Sequence, residues 1–187
     1  MYQQVYGSNG KPIDGVFVDQ NSDGQINNAD LIVEHSPDPQ EYLGFNSDFT
    51  FKGWNVGFVM RASFGNYVYD NIAAATGIQR NFLNPIGVID NGDSNVLQSG
   101  LTGNGSNDLL SDYYLYNASF LKMDNAHLGY NFGKLFKNTT DLRVSFNVQN
   151  VFTITKYPGV DPEVSTGIDN NFYPRPRTFV LGLNLGL

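Results

Sequence analysis

The chain has 187 residues, 41% hydrophobic and 14% aromatic, a composition that fits one folded domain and not a disordered chain. Its 18 Asp and Glu against 11 Lys and Arg leave a net charge of -7 with no basic cluster, which argues against a nucleic-acid partner. It has no Cys, so disulfides, thiol catalysis and a cysteine zinc site are excluded.

The opening residues "MYQQVYGSNGKPIDG" have neither a basic n-region nor an apolar h-region, so no signal peptide is read there. "GVFV", residues 15–18, reads as a strand. It leads into "DQNSDGQINNAD", residues 19–30, which has the spacing of a calcium loop. Asp19, Asn21 and Asp23 put oxygen donors at positions 1, 3 and 5, and Gly24 permits the sharp turn at position 6. Gln25 offers a backbone carbonyl at position 7, Asn27 acts through water at position 9, and Asp30 stands at position 12 where a longer Glu is usual. Hard oxygen donors at this spacing suit Ca²⁺, and the expectation is a weak structural site on a loop. The competing reading is a solvated Asp/Asn turn.

Beyond residue 41 the pattern is period two, the signature of strands. "YLGFNSDFTF" (42–51) puts Leu43, Phe45, Phe49 and Phe51 on one parity; "WNVGFVMRASF" (54–64) does the same with Trp54, Val56, Phe58, Met60, Ala62 and Phe64. Only Val59 breaks the alternation, and Lys52-Gly53 between the runs suits a tight hairpin. "GNYVYDNIAAATG" predicts a short helix over 68–75 ended by Gly77. "SFLKMDNAHLGYNF" (119–132) changes phase, with Leu121 and Met123 on one parity and Ala126, Leu128 and Tyr130 on the other, so a β-bulge is predicted at Asp124-Asn125. "DLRVSFNVQN" and "TFVLGLNLGL" supply two more alternating strands.

These five long strands are joined by alternating short and long connections, so every tight turn falls on one edge of the sheet and every long loop on the other. Aromatic residues gather at the run ends. That predicts an all-β fold of antiparallel strands from a transmembrane β-barrel, with short periplasmic turns, long extracellular loops and spans of about 9–11 residues. The apolar parity then meets outer-membrane lipid and the polar parity, including Arg61 and Arg143, meets the lumen. Residues 1–41 read as an extracellular segment with the calcium loop, and 42–187 as barrel strands and loops. Five strands cannot close a barrel whose smallest form has about eight, so the chain reads as a C-terminal piece of something larger. The alternative is a secreted, calcium-stabilised β-sandwich that binds carbohydrate or a surface.

The blocks "NGKPIDGVFVDQNSDGQIN", "FKGWNVGFVMRASFGNYVYD", "SFLKMDNAHLGYNF", "LRVSFNVQNVFTITKYPGVDPEV" and "YPRPRTFVLGLNL", in this order, resemble the C-terminal end of SusC/RagA-type TonB-dependent outer-membrane transporters. The resemblance implies a 22-stranded barrel with an N-terminal plug, driven through TonB, importing glycans or peptides under a SusD-type lipoprotein lid. Neither the plug nor a TonB-contacting segment is found in this sequence, and Leu187 stands where members usually end in an aromatic residue.

In the long connections, "IDNGDSN" (89–95) and "GNGSND" (103–108) read as solvated loop. "KYPGVDPEVSTGIDNNFYPRP" (156–176) offers Tyr157, Phe172 and Tyr173 as rings that could stack on sugars at the external mouth. The two histidines, His35 and His127, read as structural. No nucleophile motif or phosphate-binding loop is found, so no enzymatic activity is expected.

Overall fold

The computed structural model of the chain describes residues 1–82, 91–103, 110–135, 140–170 and 173–186. The stretch 103–108 lies almost wholly outside these residues, as do the start of 89–95, Phe172 and Leu187. The chain divides into two compact units. One is made of Met1–Asp38, Asn66–Asn117 and Tyr157–Phe172, the other of Pro39–Gly65, Ala118–Lys156 and Tyr173–Leu187. The initial segment therefore does not stand alone. The two long connections fold with it.

The second unit is one antiparallel sheet of the five predicted strands. They are β3 (Glu41–Phe51), β4 (Trp54–Phe64), β7 (Phe120–Leu135), β8 (Thr140–Thr155) and β10 (Thr178–Gly186), in the order β10-β8-β7-β4-β3. Lys52 and Gly53 both take positive φ, 45° and 86°, the backbone of a two-residue turn whose twist matches the strands it joins. β7 and β8 are each 16 residues long, past the 9–11 expected for a span. Sixteen residues reach about 53 Å at ~3.3 Å each, so these strands outrun a hydrocarbon layer of about 30 Å.

Strand pairing aligns the apolar parities into rows. Phe49, Val56, Leu128, Phe146 and Leu181 form one, and Phe51, Trp54, Tyr130, Val144 and Leu183 the next. On the far side lies Ser47, Phe58, Ala126, Val148, Phe179. The register then shifts at Met123/Asn125, where the phase change placed the bulge. Crossing to the row of Met60, Met123 and Phe152 takes two residues in β4, three in β7 and four in β8. The surplus in β8 is absorbed at Asn150, which takes φ 53°; Asn tolerates this left-handed conformation better than most residues. Its Nδ2 donates to Arg175 O at 2.7 Å.

Within the sheet unit, the described residues leave the apolar face exposed. Phe45 is 61% exposed, Phe179 63% and Leu183 70%. A sandwich would bury those rings beneath a second sheet, so the sandwich reading does not hold. No helix among the described residues is long and apolar enough to cross a membrane, which says nothing of strands.

The first unit has its own core of Tyr69, Ala73, Ala74, Ile78, Leu101 and Tyr114. The hairpin of β1 (Gln4–Tyr6) and β2 (Pro12–Phe17) holds most of the strand read at 15–18, before the 19–30 loop. A small sheet orders β6 (Leu115–Asn117), β5 (Tyr67–Asp70) and β9 (Ile168–Asp169), so the two long connections share strands. The predicted helix begins later than expected: Val68 belongs to β5, and α1 spans Asn71–Thr76 between the cap Asp70 and Gly77. A second short helix, α2, covers Asn95–Ser99.

Candidate functional site

The polar face of the sheet is organised by side-chain hydrogen bonds. Arg61 is placed on it by the parity of β4. Its Nε donates to Asp124 Oδ2 at 2.5 Å and its Nη2 to Asp124 Oδ1 at 3.0 Å, a two-pronged ion pair. Asp124 is the extra residue of the bulge, so the bulge aims this carboxylate at the guanidinium. One register step along, Asn125 Nδ2 donates to Asn147 Oδ1 at 2.8 Å.

Nearer the Lys52-Gly53 turn, Asn55 Nδ2 donates to Asp48 Oδ1 at 3.0 Å and to Thr50 Oγ1 at 3.2 Å. His127 Nε2 lies 3.0 Å from Asn55 Oδ1 and 3.4 Å from Asp48 Oδ1. Gly57 makes room for this ring. A Cβ at that position would collide with His127 Cε1 and stand 2.8 Å from Ser47 O. His127, structural by the sequence reading, joins a polar network whose members come from three strands. Arg143 sits on the same parity and is exposed.

The 19–30 loop closes on itself through N–H donors. Asp19 Oδ1 accepts from Ser22 N at 2.7 Å and Asp19 Oδ2 from Gly24 N at 2.8 Å. Asp23 Oδ1 accepts from Gln25 N at 2.8 Å, and Asn21 Oδ1 from Asp23 N at 3.0 Å. Gly24 takes φ 79°, as the sequence required. Asp30 is fully buried and holds two backbone amides, Gln20 N at 2.9 Å and Asn27 N at 2.8 Å. With Asn27 it forms a reciprocal cap on a short helical turn. The Asn27 amide, and then that of Gln20, hold the Asp30 carboxyl below its ordinary range despite burial. No three acidic or imidazole groups among the described residues converge as a metal cage.

Tyr157 was expected as an exposed stacking ring, and the structure corrects this. It is 4% exposed, and its hydroxyl donates to Asp169 Oδ2 at 2.8 Å. Burial, and then this carboxylate, push the phenol far above its usual range. A buried phenol needs such a partner, and its face is not free for a sugar. Tyr173 is 89% exposed and is open to a ligand.

No family model matches the chain. The TonB-dependent receptor SusC of Bacteroides thetaiotaomicron is 43% identical over 190 residues, which cover 99% of this chain and 19% of that protein. The TonB-dependent receptor P3 of Formosa agariphila is 28% identical, over 91% of this chain and 18% of that protein. A solved structure of the RagAB peptide importer in its closed-closed state matches with a TM-score of 0.68 at 21% identity, over 97% of this chain and 20% of that one. The last likeness speaks for the fold alone. The chain thus spans about a fifth of the length of the curated relatives it matches.

Proposed function

Since the chain belongs to the SusC/RagA-type TonB-dependent outer-membrane receptors, we propose that it forms C-terminal barrel strands of an importer of oligosaccharides or peptides. In this reading the longer protein supplies the plug and the TonB contact, and a SusD-type lipoprotein closes it from outside. The tight Lys52-Gly53 turn is periplasmic, and the first unit is extracellular. Arg61, Arg143 and the Asp48–Asn55–His127 network line the lumen, and Tyr173 stands at the mouth.

The observation that supports this best is the two-faced sheet. Two apolar rows run across all five strands on a face that the described residues of the sheet unit leave exposed, while the opposite face carries ion-paired and amide-bonded side chains. Lipid on one side and water on the other account for both. Weak calcium binding at the 19–30 loop is part of the proposal, supported by the donor spacing and by the left-handed turn at Gly24.

The test is to express the longer protein with an affinity tag and follow three readouts. They are fractionation with the outer membrane, co-purification of a lipoprotein in detergent, and uptake of a labelled panel of oligosaccharides and peptides. Loss of uptake on deletion of the gene, with the lipoprotein recovered, is expected. Recovery without a lipoprotein partner, or a deletion that leaves uptake of the whole panel unchanged, overturns the importer reading.

A further inference from the structure

Two neighbouring strands of the sheet end in a cation that continues their apolar parity. In β8 that parity runs out through Phe152 and Ile154, and Ile154 is 61% exposed. Two positions on stands Lys156, one residue past the strand. In β10 it runs through Leu183, Leu181 and Phe179, all exposed. Two positions before Phe179 stands Arg177, one residue ahead of the strand. Both cations lie at the edge of the sheet that carries the long connections, away from the Lys52-Gly53 turn. Two strand steps of about 3.3 Å, tilted near 45°, lift a residue about 5 Å beyond the last apolar position. The headgroup layer on each side of a hydrocarbon core is about 5–7 Å deep, so both cations fall within it.

Neither charge is neutralised within the sheet. Lys156 and Arg177 are exposed, and among the described residues no carboxylate pairs with either. No Asp or Glu occurs from 142 to 156 or from 173 to 187. The sheet unit as a whole has 9 Lys and Arg against 4 Asp and Glu, net +5.

Arg177 is nevertheless held in place. Its Nε donates to Asn150 O at 3.3 Å, and Asn150 Nδ2 donates to Arg175 O at 2.7 Å. Asn150, whose left-handed backbone absorbs the surplus of β8, thus grips the chain on both sides of Pro176. The bond to Asn150 uses Nε alone. Among the described residues the Nη groups of Arg177 meet no acceptor, which leaves the forked end of the guanidinium for an anion. Phosphate oxygens match that fork, and a lysine ammonium binds phosphate as a point charge. A dissolved acidic partner would account for the charge but not for its alignment with the lipid-facing parity. A lipid phosphate accounts for both.

We propose that Lys156 and Arg177 form a docking rim for the phosphate groups of a phosphorylated glycolipid in the outer leaflet, whose acyl chains lie against the apolar rows beneath. This assignment depends on the barrel reading of the sheet and not on what the barrel imports.

The test uses the longer protein, folded in detergent and offered equal amounts of bisphosphorylated lipid A and its fully dephosphorylated form. Bound lipids are counted by native mass spectrometry, and the gel shift of folded barrel checks each variant. A cation at a charged headgroup layer contributes about fivefold, so the phosphorylated form is expected to be preferred about 30-fold. Lys156→Gln or Arg177→Gln alone should lower that preference about fivefold, and the two together should abolish it. Lys156→Arg and Arg177→Lys keep the charges and should keep the preference. Arg143→Gln removes a cation from the polar parity of β8 and should leave it unchanged. Raising salt from about 0.05 to 0.5 M should weaken it.

Equal retention of the two lipids overturns the docking rim. So does a preference that survives the double substitution, or one that falls as far with Arg143→Gln. Equal retention together with loss of a co-purifying lipoprotein from the double variant would assign the cations to a protein partner instead. A longer protein that forms no folded barrel overturns the barrel reading and the rim with it. A folded barrel without lipid preference overturns the rim alone.

Discussion

Phe146→Arg puts the two-faced sheet to a quantitative test. Phe146 lies on the apolar parity of β8, with Leu128 and Leu181 as its cross-strand neighbours, and is 41% exposed. The apolar positions of β8 run from Leu142 to Ile154, and with the two surplus residues at Asn150 set aside the band covers ten strand steps. At about 3.3 Å per step and a tilt near 45°, that is a height of about 23 Å, close to the ~25 Å apolar band of outer-membrane barrels. Phe146 then sits about 9 Å inside the band from the Leu142 end. Arg facing lipid at such a depth costs about 2–4 kcal/mol, or roughly 30- to 1,000-fold in the folding equilibrium. Gln149→Arg is the matched control, because Gln149 is on the polar parity of the same strand and is exposed. It should cost less than about 1 kcal/mol. The assay is urea titration of the longer protein refolded into lipid vesicles, read by the gel shift of folded barrel. Equal costs at the two positions, or a larger one at Gln149, would refute the assignment of faces.

Other consequences are local. Gly57→Ala forces the His127 ring off β4 and should cost about 1–3 kcal/mol by overpacking in the same titration; a neutral result would deny the close approach. The depressed Asp30 carboxyl contributes stability that is present above the ordinary carboxylate value of about 4 and is lost as pH falls through its lowered value. The amide signals of Asn27 and Gln20 should therefore titrate with a midpoint below that value, and a midpoint above it would contradict the cap. Calcium should bind the 19–30 loop with a dissociation constant on the order of 10⁻⁴–10⁻³ M, and Asp19→Ala should abolish the heat. No heat at millimolar calcium in the parent protein would remove the site.

Period-two alternation carried the sheet because each strand has one wet and one dry side. It also located the bulge in β7, where a single extra residue flips the parity. The same logic is blind to β8. There Val148 and Phe152 face the same side with two surplus residues between them, so parity is kept and Asn150 leaves no trace in the pattern. Burial within the loop unit was illegible for another reason. Tyr157 and Tyr173 look alike in sequence, yet one pairs with Asp169 under cover and the other stands in solvent. Asp70 and Asp169 meet because β9, from the second long connection, adds to β5, from the first. No spacing rule spans that distance. The 19–30 loop was legible as a turn, and the role of Asp30 as a cap was not, since its place in the loop spacing suited a metal ligand equally well.

This chain has no Cys, so the most direct test is a single-cysteine scan along β8 in the vesicle-embedded longer protein, with any Cys outside this chain replaced by Ser. Leu142, Val144, Phe146 and Val148 should resist a water-soluble maleimide, and a fluorophore attached there should be quenched by brominated lipid. Arg143, Ser145, Asn147 and Gln149 should label from water and escape that quenching. Equal labelling of both sets, or lipid quenching confined to the second, would contradict a sheet that divides lipid from a wet lumen.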